Sequence, residues 1–221
     1  MIKKSIVTSI FLLIVFYSCG NCLDYYVDAN SGSNDNIGTT IDKPWLTITH
    51  ALSQVDPTTE EPAIIHVATG LYNTELGETF PIKLKSNMTL IGAGMDSTIL
   101  DATGNKTTVM KISCVENVGV SGFTLTGGAG NIYDSKYEDF PSGGGICLWL
   151  SSAVVRNCKI TENSAYQGGG ISFAAPLSLI TDCTISKNQA REGGGVSPTT
   201  LVCRSSVPIG GLFRRSLSVC A

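Results

Sequence analysis

From Cys158 to Thr161 the chain alternates, with apolar Cys158 and Ile160 set between polar Lys159 and Thr161. The same alternation returns from Cys183 to Ser186. Period-two alternation marks a strand buried on one side. A second apolar patch precedes each segment, at Val154-Val155 and Leu179-Ile180, and each is followed by a polar pair, Arg156-Asn157 or Thr181-Asp182. The polar pair predicts a bend between two strands of one coil. Glycine triplets at 143–145, 168–170 and 193–195 repeat with a period of 25 residues and predict a second bend. Asn163 and Asn188 share a register, which predicts amides bonded along a ladder. A fixed period of this size means a solenoid, whose units bury apolar faces only against their neighbours. Two or three short strands plus turns fill such a unit, so the fold class is all-β, a parallel β-helix. Upstream the period loosens, but short apolar runs persist at 88–91, 98–100, 109–112, 118–120 and 123–125. Thr47 to Leu52 is the one segment that reads as a helix, placed to cap the open N-terminal end of the stack.

Composition narrows the function classes. The 221 residues carry 15% charged side chains and a formal net charge of −3, with 24 glycines. Phosphate binding needs a basic patch, so nucleic acid is not an expected partner. Residues 1–22 read as an export signal: Lys3 and Lys4 lead an apolar run from Ile6 to Phe16, shorter than the roughly 20 residues that span a bilayer. Two processing routes stand open. Cleavage after Gly20 gives a freely secreted protein; cleavage before Cys19 leaves that cysteine for lipid attachment, the one route to membrane contact. Four cysteines, Cys114, Cys147, Cys158 and Cys183, lie in the body, and the last two hold equivalent repeat positions that predict buried free thiols. With Cys19-Gly20-Asn21-Cys22 at the signal boundary the one CxxC pair, and with His50 and His66 the only histidines, no metal site is assigned.

Two stretches resemble known families. Tyr26-Val27-Asp28-Ala29-Asn30, Gly32 to Thr39 and Lys43-Pro44-Trp45-Leu46-Thr47-Ile48 resemble the opening of pectin-lyase-like proteins, and more narrowly the DUF1565 domain. Val67 to Tyr72 and Leu90-Ile91-Gly92-Ala93-Gly94 through Asp101 continue the likeness. The unit from Cys158 to Ala165, closing on Gly168-Gly169-Gly170-Ile171, is similar to the repeat of chlamydial polymorphic outer-membrane proteins. Together these cover Asp24 to Val196. The resemblance implies a right-handed helix and export to the extracellular space or cell surface. It leaves activity open, because such folds host lyases, hydrolases, adhesins and passenger domains alike.

Candidate chemistry is sparse. A polysaccharide lyase of this kind would need calcium-binding carboxylates and a base on one outer face. The outward positions of the clearest units are Lys159, Thr161, Thr184 and Ser186, with Glu162 followed by Lys187, which reads as solvated surface. Asp101 and the Ser33 to Asn36 stretch read as turns, with calcium an alternative for the latter. The unit after Phe123 carries about ten extra residues, because Cys158 lies 35 residues beyond Phe123. That insertion holds Tyr133, Asp134, Tyr137, Glu138, Asp139 and Phe140: aromatics suited to stacking on sugar rings and acids suited to calcium. A surface insertion with no ligand is the plainer alternative. Beyond Val196 the pattern stops, and Pro208 falls where Cys158 and Cys183 recur. Residues 197–221 are then either an unusual cap or out-of-frame sequence replacing further units, the latter being favoured. The leading expectation is an exported protein, 23–196 forming its β-helix, that binds or displays, with polysaccharide or a cell-surface molecule as ligand and no catalysis. A carbohydrate-active enzyme of the lyase or hydrolase type is the alternative, and a fragment of a larger surface protein is a third.

Overall fold

The computed structural model describes residues 22–130, 143–175 and 177–198. The chain winds through three parallel sheets in turn. Sheet 1 stacks β1 (Leu23–Val27), β2 (Ala63–Val67), β5 (Met88–Gly92), β8 (Val118–Ser121), β11 (Ala153–Arg156) and β15 (Leu179–Thr181). Sheet 2 stacks β3 (Gly70–Asn73), β6 (Thr98–Asp101), β9 (Thr124–Thr126), β12 (Lys159–Thr161) and β16 (Thr184–Ser186). Sheet 3 stacks β4 (Ile82–Lys83), β7 (Met110–Ser113), β10 (Ile146–Trp149), β14 (Ile171–Ala174) and β18 (Val196–Pro198). The two regular coils add a corner sheet of β13 (Ser164–Gln167) and β17 (Gln189–Glu192), so each holds four short strands rather than two or three.

Register makes the core a set of columns. Ile65, Leu90, Val120 and Val155 stack inward from sheet 1, and Tyr72, Leu100, Leu125 and Ile160 from sheet 2. Ile82, Met110, Ile146 and Ile171 do so from sheet 3. All of these are fully buried, each contributing about 1.5–3 kcal/mol for an aliphatic side chain. The expected bends are where the sequence placed them: Asn157 and Asp182 take positive φ (49° and 53°) between sheets 1 and 2. At the glycine bend, Gly168 has φ 61° and a side chain there would meet Ile171 O at 2.3 Å. Only glycine fits that corner.

The Asn ladder forms as expected. Asn163 Nδ2 donates to Asn188 Oδ1 at 3.1 Å, and also to Leu125 O and Thr161 O, both at 3.0 Å. Its Oδ1 accepts from Gly128 N at 2.9 Å, which ties the coil above. One expectation is corrected. Thr161 does not face solvent: it is 8% exposed and stacks on Ser186, hydroxyl to hydroxyl at 3.4 Å. The corner strands β13 and β17 follow this position directly, and the extra turn of chain closes over what a simpler coil would leave open.

The N-terminal end is closed by α1 (Ile48–Gln54), with Thr47 as N-cap accepting from His50 N. Ile48, Ala51 and Leu52 turn inward. Glu78, almost fully buried, accepts from Ile48 N at 2.6 Å, Thr49 N at 2.8 Å and the Thr49 hydroxyl, a second cap supplied from 30 residues away. Burial pushes its carboxyl up, and the Thr49 and Ile48 donors only partly offset that.

Substitution at these buried polar groups should change stability measurably. Asn163→Leu strands Gly128 N and two carbonyls, so urea unfolding should show a loss of about 3 kcal/mol, and Asn188→Leu a smaller one. At Glu78 the folded-state pKa lies above the unfolded value, so folding takes up a proton there. Its contribution is complete below the ordinary carboxylate range and falls as pH rises through the raised value. The stability difference between the native chain and Glu78→Gln should therefore decline with rising pH across that range, as read by melts at a series of pH values.

Candidate functional site

The outer face of sheet 1 gathers the chemistry. Alternation sends Asp24 and Tyr26 of β1, Ile64 and His66 of β2, and Thr89 and Ile91 of β5 away from the core. Register then stacks Tyr26 on His66, their rings 5.2 Å apart and 18° from parallel. His66 Nε2 lies 2.7 Å from Asp24 Oδ1, a diagonal pair with both partners substantially solvent-accessible. The carboxylate fixes which ring nitrogen faces it, leaving Nδ1 for another partner.

Beside this ladder lies a depression of about 300 Å³, bordered by Tyr26, His66 and Ile91 on the sheet and by Ile41 and Pro44 on the loop that crosses it. Ile41 is 74% exposed. The loop is held rigidly: Asn36 Nδ2 donates to Pro44 O at 2.7 Å, and Trp45 Nε1 to Asn36 O at 2.8 Å. Gly38, at φ 68°, lies flat against the Trp45 ring, where a Cβ would approach to 2.2 Å. Asp28, also on the rim, spends its carboxylate on Ser31 and on Asn30 N; burial opposes ionisation, but these donors outweigh it and hold the pKa low. A second depression, of about 330 Å³, opens further along the same sheet where Gly119 leaves a notch between Thr89 and Val154, with Leu177 at its edge. The two depressions lie on the same sheet and share no lining residue.

Several residues singled out in the sequence have structural work. Asn34 Oδ1 accepts from Leu46 N and Thr47 N at 3.1 and 3.2 Å, so the Ser33 to Asn36 stretch anchors the start of α1. Asp101 Oδ1 accepts from Thr103 N at 2.8 Å, a local turn. Glu162 and Lys187 form an exposed ion pair at 3.3 Å across successive coils, a contact of little energetic weight. Among the described residues there is no group of three or more His, Cys, Asp or Glu side chains that could hold a metal ion.

Tyr133, Asp134, Tyr137, Glu138, Asp139 and Phe140 lie outside the described residues, as does Cys19. The flanks of the insertion are described. Ala129 pairs with Ser164, and the chain resumes at Gly143, whose carbonyl accepts from the Thr108 hydroxyl at 2.6 Å. Fourteen positions separate Ala129 from Gly143, where four separate Ser164 from Gly168, so the described flanks of the ten extra residues lie at the corner between sheets 2 and 3. One coil away, the corner strands carry Tyr166 with the Arg191 guanidinium 5.6 Å from its ring centre. The Tyr26–His66–Asp24 group was not foreseen. Its signal is a histidine in a strand otherwise apolar, Ala63-Ile64-Ile65-His66-Val67, weighed in the sequence only as a metal ligand.

Three sheets of in-register parallel strands, capped by one short helix, define a right-handed parallel β-helix. Residues 30–201 match the family model described as protein of unknown function (DUF1565), and the chain belongs to that family. No curated protein matches it. Among solved structures it is similar to pectin methylesterase from carrot, with 13% identity and a TM-score of 0.48 over 75% of this chain and 53% of the other. Similar too is the pectin methylesterase PemA from Erwinia chrysanthemi, with 14% identity and a TM-score of 0.43 over 72% and 48%. The chain spans about half the length of these structures. No helix of the described residues is long and apolar enough to cross a membrane.

Proposed function

We propose that this chain is an exported surface or secreted β-helix that binds carbohydrate along the outer face of sheet 1, without catalysis. The observation that carries the reading is the Tyr26–His66 stack, with its Asp24 partner, set beside the depression under Ile41. Sugars present alternating apolar C–H faces and hydroxyl rims. Ring edges, Ile91 and Ile41 suit the former, while the Asp24 carboxylate and the free imidazole nitrogen suit the latter. A second depression at Gly119 on the same sheet favours an elongated polysaccharide over a monosaccharide. Export rests on the leader at residues 1–22, with either lipid attachment at Cys19 or free secretion after Gly20.

The insertion at Tyr133, Asp134, Tyr137, Glu138, Asp139 and Phe140 is a second contact region in this proposal, with calcium as the cofactor its acids suit. The test is a glycan array followed by titration of the best ligand. Tyr26→Ala and His66→Ala should each weaken binding about tenfold, the loss of one aromatic or hydrogen-bonding contact of roughly 1.4 kcal/mol. Unchanged affinity in both variants, with folding intact, would place binding elsewhere. Adding a chelator should weaken binding only if the insertion engages the ligand through calcium.

A lyase is the second reading, and the 2.7 Å His66–Asp24 pair favours it, since a carboxylate-oriented imidazole is a competent base. A panel of acidic polysaccharides, assayed with and without calcium, separates the two. Non-catalytic binding predicts no unsaturated products on any substrate; their calcium-dependent appearance would overturn it.

A further inference from the structure

Cys158 and Cys183 stand one residue ahead of β12 and β16, each directly after a positive-φ residue, Asn157 or Asp182. Those strands pair in register as Lys159↔Thr184, and Thr184 N donates to Cys158 O at 2.9 Å, so the two cysteines face each other across one strand spacing. That spacing is about 4.8 Å, inside the roughly 4.4–6.8 Å between Cα atoms that a disulfide accepts. The side chains take the same rotameric direction. Cys158 Sγ lies 3.2 Å from Arg156 O, and Cys183 Sγ 3.2 Å from Thr181 O, each reaching back two residues. Cys183 Sγ also approaches Val155 O of the preceding coil at 3.7 Å, which draws it toward its partner. Both are free thiols in this structure.

We propose that Cys158 and Cys183 are a disulfide-forming site that staples two consecutive coils, closed by exchange with a small-molecule or protein disulfide in the compartment to which the chain is exported. Access sets the order of events. Cys158 is fully buried, whereas Cys183 is partly exposed and meets the oxidant first. The Cys183 thiolate attacks one sulfur of the incoming disulfide, releasing a thiolate and leaving a mixed disulfide on Cys183. Cys158 loses its proton and attacks the Cys183 sulfur, expelling the second half of the oxidant as a thiolate. The protein loses two hydrogens and the oxidant gains them as two thiols. The adjacent Cys183 and burial push the Cys158 thiol up, which fits its place as the second thiol to react.

The experiment treats the reduced, folded full-length chain with glutathione disulfide, blocks remaining thiols and digests it without reduction. Trypsin cuts after Arg156, Lys159 and Lys187, so the staple joins the tripeptide 157–159 to the peptide 160–187. That linked pair is the expected product, accompanied by a higher urea midpoint that reverts on reduction. In Cys158→Ser, Cys183 should stop at the mixed disulfide with glutathione. In Cys183→Ser, Cys158 should stay unmodified until the chain is unfolded. Recovery of Cys158 as a free thiol beside glutathionylated Cys183 in the native sequence would overturn the proposal. So would linkage of either cysteine to a different partner.

Discussion

In-register stacking is the constraint on which everything else depends. A parallel β-helix repeats itself at one strand spacing, so each side chain has as its nearest neighbours the equivalents one coil above and below. Apolar positions gain from this without further adjustment, and Ile160 on Leu125 or Met110 on Ile146 simply extend columns of the core. Polar positions inside the stack gain only if like can bond to like. Asparagine does so, because its amide both donates and accepts, and Asn163 uses this to bind the coils on either side of it. The glycine triplets obey the same rule in backbone form: Gly144, Gly145 and Gly170 donate to carbonyls of the next coil's glycine run, at distances that leave no room for a side chain.

The same constraint shapes the outer surface. Outward positions also form columns, so a residue type placed once on a strand lies beside its counterparts from other coils. On sheet 1 this assembles Tyr26, His66 and Ile91 from residues up to 65 positions apart and places Asp24 diagonally against His66. The core does not need any of these four side chains. Rigid strands hold them, and the loop through Ile41 and Pro44 walls one side. Side chains carried on strands keep their spacing, which would lower the entropy cost of engaging the proposed ligand.

The regular coils were legible because their periodicity is written directly in Gly168-Gly169-Gly170, Asn163 and Cys158, each with a copy 25 residues on. The capping helix was legible as the Thr47 to Leu52 segment, and α1 spans Ile48–Gln54. The corner strands were not, because Ser164-Ala165-Tyr166-Gln167 has no sustained alternation and owes its extended form to pairing with β17. Glu78 as a cap was equally hidden, since nothing local to it names a helix 30 residues earlier. The Tyr26–His66–Asp24 group escaped for a related reason. It exists only once the register of β1 on β2 is known, and a shift of one residue would turn Tyr26 and His66 into the core. The acidic and aromatic insertion was visible as composition, and the described flanks fix only the corner from which it leaves.

Receipt of a polysaccharide on the outer face of sheet 1 is the proposal to which this fold leads. It is tested most directly by titrating the folded chain with oligosaccharides while following the aromatic ring resonances of Tyr26 and His66 by NMR. Saturable shifts of both rings at one common affinity, with core residues such as Leu90 and Ile160 unmoved, are the expected result. A ligand that binds while the Tyr26 and His66 signals stay fixed would contradict the account and move the site off this face.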